Sequence, residues 1–600
     1  MRMAKSRTTS ASGRGRKPLL ERAVEYFGIS GRTECVAAAS LFGLMIGLKL
    51  VNMTRYKFDS DESQHLHVIW AWARGFVQYR DICDNHMPLF QIAFAPIFAL
   101  IGDRPTILYW MRFTLLPMYF VTMWCTYRIA TLLFSKRAGV WATIGAGLYP
   151  GYHFCSFEFR TDNLWAPLWL LCLIVLLNGT ITVRRALAAG LLLGLCFGIS
   201  GKTTLLLMSI LTSAALTVLL VGWRKAGLSM GYLMRCVAAF LATALLIPAI
   251  IVGVFAFRGI WQQFRYWVVD NNILPGLLNH PAWWALIFPI AFPPVICAAW
   301  IIVRKAPDPP AAFRRGFVFL ICGFYIPALW SFWALVTRQD YLPYHPLAFA
   351  FYSAASLLVS NYFVRQRWPL GALFKHVPLP AFIAAGEIVA IIILHPFWID
   401  GGKNETNLLR ATLTLTSPGD YVLDEKGETV FRQRCFGPIW EPFVMERIRR
   451  GLMIDNAAKN CIEKRACVAT NRKDMSLAAE HFVEQNFLPV GNHHQGLFTK
   501  DRQFVSWQGL WVAGGFLKRS QEDLKRFDFD VVIPAPYEIA APEGAVSGML
   551  DGTPYTGARF LAPGKHSFVQ TSSESTLAFL WAQAVDRHFL PVDHDDNPGH

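Results

Sequence analysis

"FDSDESQHLHVIWAWARGFVQYRDICDNHMP" runs from Phe58 to Pro88. It opens on Asp59, Asp61 and Glu62, closes on Asp81, Asp84 and His86, and is flanked by apolar runs at 34–53 and 89–101. Carboxylates crowded between membrane-grade segments decide the reading. Either they cap a helix that starts near Asp61, since acids favour helix N-termini, or they work on a substrate at the membrane edge. The stretch 61–76 has Leu66, Ile69, Trp70 and Ala73 at helical spacing. Its aromatic density (Trp70, Trp72, Phe76, Tyr79) suits a helix lying on a membrane interface.

The rest of the chain supports a membrane setting. Of its 600 residues, 54% are hydrophobic and only 16% charged, where a soluble protein carries roughly a quarter charged. The net charge of +16 sits mostly in short loops between apolar runs, a pattern that orients a polytopic protein and argues against nucleic acid. Residues 1–33 hold eight Lys/Arg and two Glu, and the first apolar run follows without a small-residue cleavage site. This predicts a basic cytoplasmic tail and an uncleaved first helix. The twelve Cys include no CxxC pair, so a zinc site of that kind is not indicated; Cys461 and Cys467 are the candidates to pair in an oxidising compartment.

The fold expected is an all-α polytopic membrane protein with a C-terminal extramembrane α+β/β-sandwich-like domain. Apolar runs at 34–53, 107–134, 138–152, 163–178, 186–200, 203–222, 236–257, 284–303, 316–336, 343–363 and 378–397 give about eleven spans, within a range of about ten to thirteen. With these spans, the pairs Lys136–Arg137, Arg184–Arg185, Arg224–Lys225, Arg304–Lys305, Arg314–Arg315 and the Arg365–Arg367 segment fall on the cytoplasmic side with the tail. The agreement requires 88–101 to lie as an interfacial helix on the outer face. The domains are then the 1–33 tail, a 34–398 core, a 399–525 α+β unit and a 526–600 β-rich tail. Loops 54–106, 152–162, 258–283 and 337–346 share the outer, periplasmic face of what reads as a bacterial inner membrane. Tyr421–Asp424 and Thr429–Phe431 read as strands, Glu441–Arg450 and Leu477–Glu484 as helices, and Asp551–Gly552 and Pro563–Gly564 as turns between strands.

Four outer stretches carry candidate chemistry. The first supplies Asp61 as a general base for an acceptor hydroxyl. The second, "FEFRTDNLW" from Phe157 to Trp165, supplies Glu158, Arg160 and Asp162; acids on two loops of one face can position an acceptor, hold a metal, or divide the work of base and orienter. The third is "GISGKTTLLL". It resembles a nucleotide loop, but the pattern needs Gly at 196, where Cys stands. What remains is Lys202, which either snorkels or holds a phosphate. The fourth, "TRQDYLPYHP", brings Arg338, Tyr341, Tyr344 and His345, a set suited to bidentate phosphate contact or to an interfacial anchor. The 258–283 loop adds Arg258, Arg265, Tyr266 and Trp267. A lipid-linked phosphosugar fits these charges. No internal repeat is visible, which weighs against a transporter built from repeated halves.

These stretches resemble the membrane glycosyltransferases of the C superfamily, among them protein O-mannosyltransferases and the aminoarabinose transferase that modifies lipid A. "DSDESQHLHVIWAWARGFVQYRDICDNHMPL", "FRTDNLWAPLWLL", "GISGKTTLLL" and "RQDYLPYHPLAFA" carry the resemblance, over roughly residues 30–400. It implies an inverting transfer from a polyprenyl- or dolichyl-phosphate sugar to a hydroxyl of a protein, lipid or polysaccharide. Asp61 would be the base, with Glu62 beside it and Asp162 the second-loop acid. Lys202 and Arg338, helped by Tyr341, would receive the leaving phosphate, and His86 stands where family members carry a basic residue before the Pro. Glu158, Arg160, Tyr344 and Arg265 would contact substrate. Asp61 and Asp162 are the candidates to hold a divalent metal, and the sequence leaves metal dependence open. The alternatives are a transporter or flippase of lipid-linked saccharides, an oligosaccharide ligase, and a binding protein with a decayed site.

Overall fold

The computed structural model describes residues 18–222, 229–274, 282–333, 336–470, 475–492, 509–521, 523–541, 546–571 and 577–591. Arg224–Lys225, residues 275–281 of the expected 258–283 loop, and 334–335 lie outside the described residues.

The first 400 residues are helical. Among the described residues, six helices are long and apolar enough to cross a membrane: Arg32–Arg55, Thr203–Val221, Met230–Phe257, Trp283–Arg304, Pro309–Phe332 and His345–Arg365. The chain is an integral membrane protein by that measure. Shorter apolar helices, Leu89–Ile101, Asp162–Leu177 and Leu379–Leu394, pack among them. Two expected helices are each divided. Ile107–Thr114 and Leu116–Leu133 meet at Leu115, and Lys136–Leu148 gives way to Pro150–Cys155. In both cases the second piece has proline in its first turn; proline starts a helix well but cannot donate within one. The helix expected from 316 begins at Pro309, because Asp308 caps it by accepting from the Ala311 N–H at 2.7 Å. Arg314 and Arg315 therefore lie inside this helix.

Close packing between the Val183–Ile199 and Met230–Phe257 helices depends on small residues. A Cβ on Gly190 would stand 2.2 Å from the Phe240 carbonyl oxygen. Gly194 meets the Ala244 carbonyl in the same way, one turn along. Small residues four apart let two backbones approach where apolar burial alone gives little preference.

After Leu394 the chain forms a sheet domain. A nine-stranded sheet runs in the order Arg559–Leu561, Ala535–Ala540, Ala578–Trp581, Leu510–Phe516, Val468–Ala469, Tyr421–Leu423, Gln433–Arg434, with Phe487–Asn492 and Phe589–Pro591 joined at its side. A second sheet has five strands, Thr553–Pro554, Gly548–Leu550, Gly564–Gln570, Arg526–Val531 and Lys518–Arg519. The sheets pack face to face, Phe529 against Phe579 at 4.6 Å between ring centroids. Strands from 399–525 and from 526–600 share the larger sheet and one core, so the boundary expected at 525 does not separate two cores. Asp551–Gly552 turns a hairpin. Pro563–Gly564 instead carries the chain from one sheet to the other, since the flanking strands pair with different partners. Cys461 lies 2.7 Å from Cys435, sulfur to sulfur, and is not disulfide-bonded to Cys467, its expected partner.

Two expectations fail where this domain meets the helices. The 61–76 segment is the Ser60–Ala73 helix, with Glu62 through Ala71 all buried, so it is not a helix lying on an open surface. Thr429–Phe431 is not a strand. It belongs to a loop laid across that helix, with the Val430 oxygen 2.8 Å from His67 Nδ1. Gly427 allows the close approach. Its φ is +88° and a Cβ there would stand 2.8 Å from the His67 side chain. The aromatic face read as membrane-facing packs within the protein instead, Trp70 between His67 and Phe76.

Candidate functional site

The four quoted stretches meet where helices begin. Asp59 caps the Ser60–Ala73 helix by accepting from Asp61 N, and the Glu62 side chain returns to Asp59 N at 2.9 Å. This capping box fixes Asp61 on the first turn. The second loop is pinned by Asn163, whose Nδ2 donates to the Cys155 and Glu158 carbonyls. Lys202 precedes the Thr203–Val221 helix, and Arg338 opens a one-turn helix capped by a Thr337–Asp340 box.

Arg160 is the hub. Its guanidinium lies 2.8 Å from Asp59, 2.7 Å from Asp61 and 3.9 Å from Asp162. Lys202 sits between Asp162, at 2.8 Å, and Asp340. Arg338 reaches Glu158 at 2.7 Å, the Tyr56 hydroxyl at 3.2 Å and Asp59 at 3.7 Å. Gln339 donates to the other Glu158 oxygen at 2.7 Å. From the sheet domain, Lys426 lies 3.3 Å from Asp61.

Electrostatics divide these groups. Burial alone would raise the Asp61 pKa, but Arg160 and Lys426 outweigh it and hold Asp61 below the ordinary carboxylate range. Glu158 goes the other way; burial pushes it up to about 7 against the opposing pull of Arg160 and Arg338. Burial also takes Glu441 up to about 7, against Lys426 and His86. Burial would lower the His86 pKa, but Asp84, 2.9 Å from its Nδ1, raises it. His65, stacked edge-on with His86 at 4.5 Å, is held down by burial and by His86 itself.

Several expected residues land elsewhere. Glu62 commits its oxygens to Arg112 at 2.6 and 2.8 Å and to Phe159 N at 2.8 Å, with no exposed surface. It braces the two acidic loops against each other. The exposed Arg265 pairs with Asp270 at 3.4 Å and takes no part in the cluster's ion pairs. Tyr341 accepts from the Trp330 indole at 2.8 Å, and Tyr344 packs beside His345. Arg160, Lys426 and Lys202 are the cations that pair with Asp61 and Asp162, the candidate metal-holding carboxylates. Among the described residues no group of three or more His, Cys, Asp or Glu is placed to hold a metal.

Sequence reasoning missed Asp59 as a hub partner, Asp340, Lys426 and Glu441. Asp340 had a signal, an acid between Arg338 and Tyr341 in a quoted loop. Lys426 had none, since its partner lies 365 residues away.

The helical bundle whose early loops, lysine turn and late Arg loop converge beside a C-terminal sheet domain has a fold similar to that of solved structures. No protein-family model matches the sequence, and no curated protein sequence matches it. Among solved structures, ArnT from Cupriavidus metallidurans in the apo state is similar with a TM-score of 0.51 at 12% identity, over 76% of this chain and 97% of that one. The same protein bound to undecaprenyl phosphate gives 0.47 at 11%, over 72% and 92%. Oligosaccharyltransferase AglB from Archaeoglobus fulgidus, in complex with an inhibitory peptide and a dolichol-phosphate, gives 0.43 at 10%, over 81% and 74%. At these identities the likeness to apo ArnT speaks for fold.

Proposed function

We propose that this chain is an inverting glycosyltransferase that moves a sugar from a polyprenyl-phosphate donor to an acceptor hydroxyl. The observation that carries the reading is the single ion-paired cluster. Carboxylates from the first two loops share Arg160, and the same cluster extends to Lys202 and Arg338 at later helix starts. The orientation proposed puts the N-terminus in the cytoplasm and the sheet domain in the periplasm of a bacterial inner membrane. The about eleven spans and the 34–398 core with its outer loops belong to the same proposal.

In the reaction the acceptor oxygen bonds to the sugar C1 as the bond from C1 to the phosphate oxygen breaks. The phosphate keeps the electron pair, and Asp61 takes the acceptor proton. Arg338 is the cation suited to the departing phosphate, because its side chain is 46% exposed whereas that of Lys202 is 16% exposed and held between two carboxylates. A guanidinium fork matches a phosphate in two contacts. Asp61 is a weak base while both Arg160 and Lys426 hold it, since a base works best with a pKa near the working pH. An acceptor that draws Lys426 away strengthens it at the moment of need.

The test uses purified protein in liposomes with a radiolabelled polyprenyl-phosphate sugar and a membrane extract as acceptor source. Wild-type protein is expected to release free polyprenyl phosphate. Asp61→Asn should cut release by about 10²–10⁴-fold, the usual worth of general base catalysis, with polyprenyl-phosphate binding retained. Normal turnover in that variant removes Asp61 from the mechanism. Intact donor carried across the bilayer, without bond cleavage, makes the chain a flippase instead.

A further inference from the structure

We infer that the cavity between the Ser60–Ala73 helix and the sheet domain is a saccharide subsite, so that the acceptor is a carbohydrate. This deepens the transferase reading and rests on it. The cavity holds about 370 Å³ and is lined by Gln64, His67 and Phe76 on one side and by Tyr421, Lys426 and Lys464 on the other. Small-molecule sites run from about 300 to 1,000 Å³.

Two polar atoms mark it as built for a ligand. Gln64 and His67 are 1% and 3% exposed, and Gln64 Nε2 and His67 Nε2 have no hydrogen-bond partner among the described residues. Buried polar atoms of native proteins are seldom left so, because each costs about 1–3 kcal/mol. Their needs are opposite. Gln64 Nε2 is a donor and requires an acceptor. His67 Nδ1 faces the Val430 carbonyl, which only accepts, so that nitrogen carries the proton and Nε2 presents a lone pair. A hydroxyl both donates and accepts, and so serves either one. Residues three apart on a helix stand about 5–6 Å from each other, a spacing that neighbouring hydroxyls of one or two sugar rings span. The remaining polar lining is Asp81, Gln433, Arg434, Lys426 and Lys464, of which Asp81 pairs with Arg80, Arg434 with Asp424 and Lys426 with Asp61, so most of the charge is already matched. That set suits a neutral polyol better than an anion, and the rings of Phe76 and Tyr421 offer flat apolar faces.

The cavity also leads to the chemistry. Lys426 lines it and is the residue that reaches Asp61 at 3.3 Å. Gln64 lies one turn beyond Asp61 on the same helix face. A saccharide seated on Gln64 and His67 would place its end hydroxyl at Lys426, displace that ammonium, and meet the Asp61 carboxylate.

The full chain in nanodiscs is tested by saturation-transfer difference NMR with mannobiose, maltotriose and chitobiose, and with a blocked serine tripeptide. Undecaprenyl phosphate binding is measured on the same sample. Binding of at least one saccharide is expected. Gln64→Leu and, on the opposite wall, Lys464→Ala should each weaken it tenfold or more, with undecaprenyl phosphate affinity and melting temperature unchanged. The subsite is overturned if no saccharide binds while undecaprenyl phosphate does, if neither substitution affects saccharide binding, or if the tripeptide alone binds. Failure of wild-type protein to bind undecaprenyl phosphate would instead strike the transferase reading and the acceptor role built on it, and saccharide binding is read separately.

Discussion

Asp61 and Glu158 belong to the same cluster, yet their surroundings drive them apart. At Asp61 two cations overcome burial and the group stays ionised. At Glu158 burial prevails, although Arg338 is 2.7 Å away, and the group titrates near neutrality. The cations differ in parallel. Arg160 is nine-tenths buried and shared among three acids, while Arg338 is nearly half exposed. One end of the cluster is therefore a fixed scaffold, and the other is open to a ligand and to pH.

The strongest way to break this contrast is at the scaffold. Arg160→Leu strands Asp59, Asp61 and Asp162 without their shared cation, and losing one partner of a buried pair costs about 3–5 kcal/mol. Thermal unfolding in detergent should show a large drop in melting temperature. Lys202→Ala, which uncovers Asp162 and Asp340, is expected to lose a similar amount. Arg338→Ala should cost at most about 1 kcal/mol of stability, as for exposed pairs, and weaken undecaprenyl phosphate binding about tenfold or more. Equal stability losses for Lys202→Ala and Arg338→Ala would erase the distinction drawn between them.

The pH response sharpens the contrast with a smaller effect. Glu158 and Glu441 are raised from 4.5 to about 7 in the folded chain. The folded state then holds more protons than the unfolded one between those values. Their contribution is full below pH 4.5 and is lost as pH climbs through about 7. Melting temperature should fall from pH 5 to pH 8, and Glu158→Gln should flatten part of that fall. The smallest change is expected for Lys426→Ala, which leaves Asp61 with Arg160 alone. The acid limb of the kcat/KM profile should move to higher pH, and an unmoved limb would disconnect Lys426 from the proton acceptor.

Much of this was legible because it is local. Long apolar runs, the capping signature at Asp59–Glu62 and the loop basic residues follow from spacing alone. The quoted early loops, lysine turn and Arg338 loop do converge. What escaped depends on contacts far along the chain. The aromatic face of the Ser60–Ala73 helix looked membrane-facing because nothing nearby in sequence announces the Gly427–Phe431 loop that covers it. The partner of Glu62, Arg112, is 50 residues downstream inside an apolar run, so the bracing role of Glu62 has no local signal. The Pro309 helix start was readable from Asp308 followed by two prolines.

The seat of Gly427 on His67 has a consequence for biogenesis. Asp61 leaves the ribosome 365 residues ahead of the lysine that completes its surroundings, and the covering loop fits only through a residue without a side chain. Until the distal half has folded and docked, the early acids are one positive partner short. Maturation of the site is thereby interlocked with completion of the polypeptide, and a chain halted before residue 400 would carry the carboxylates but not their finished setting.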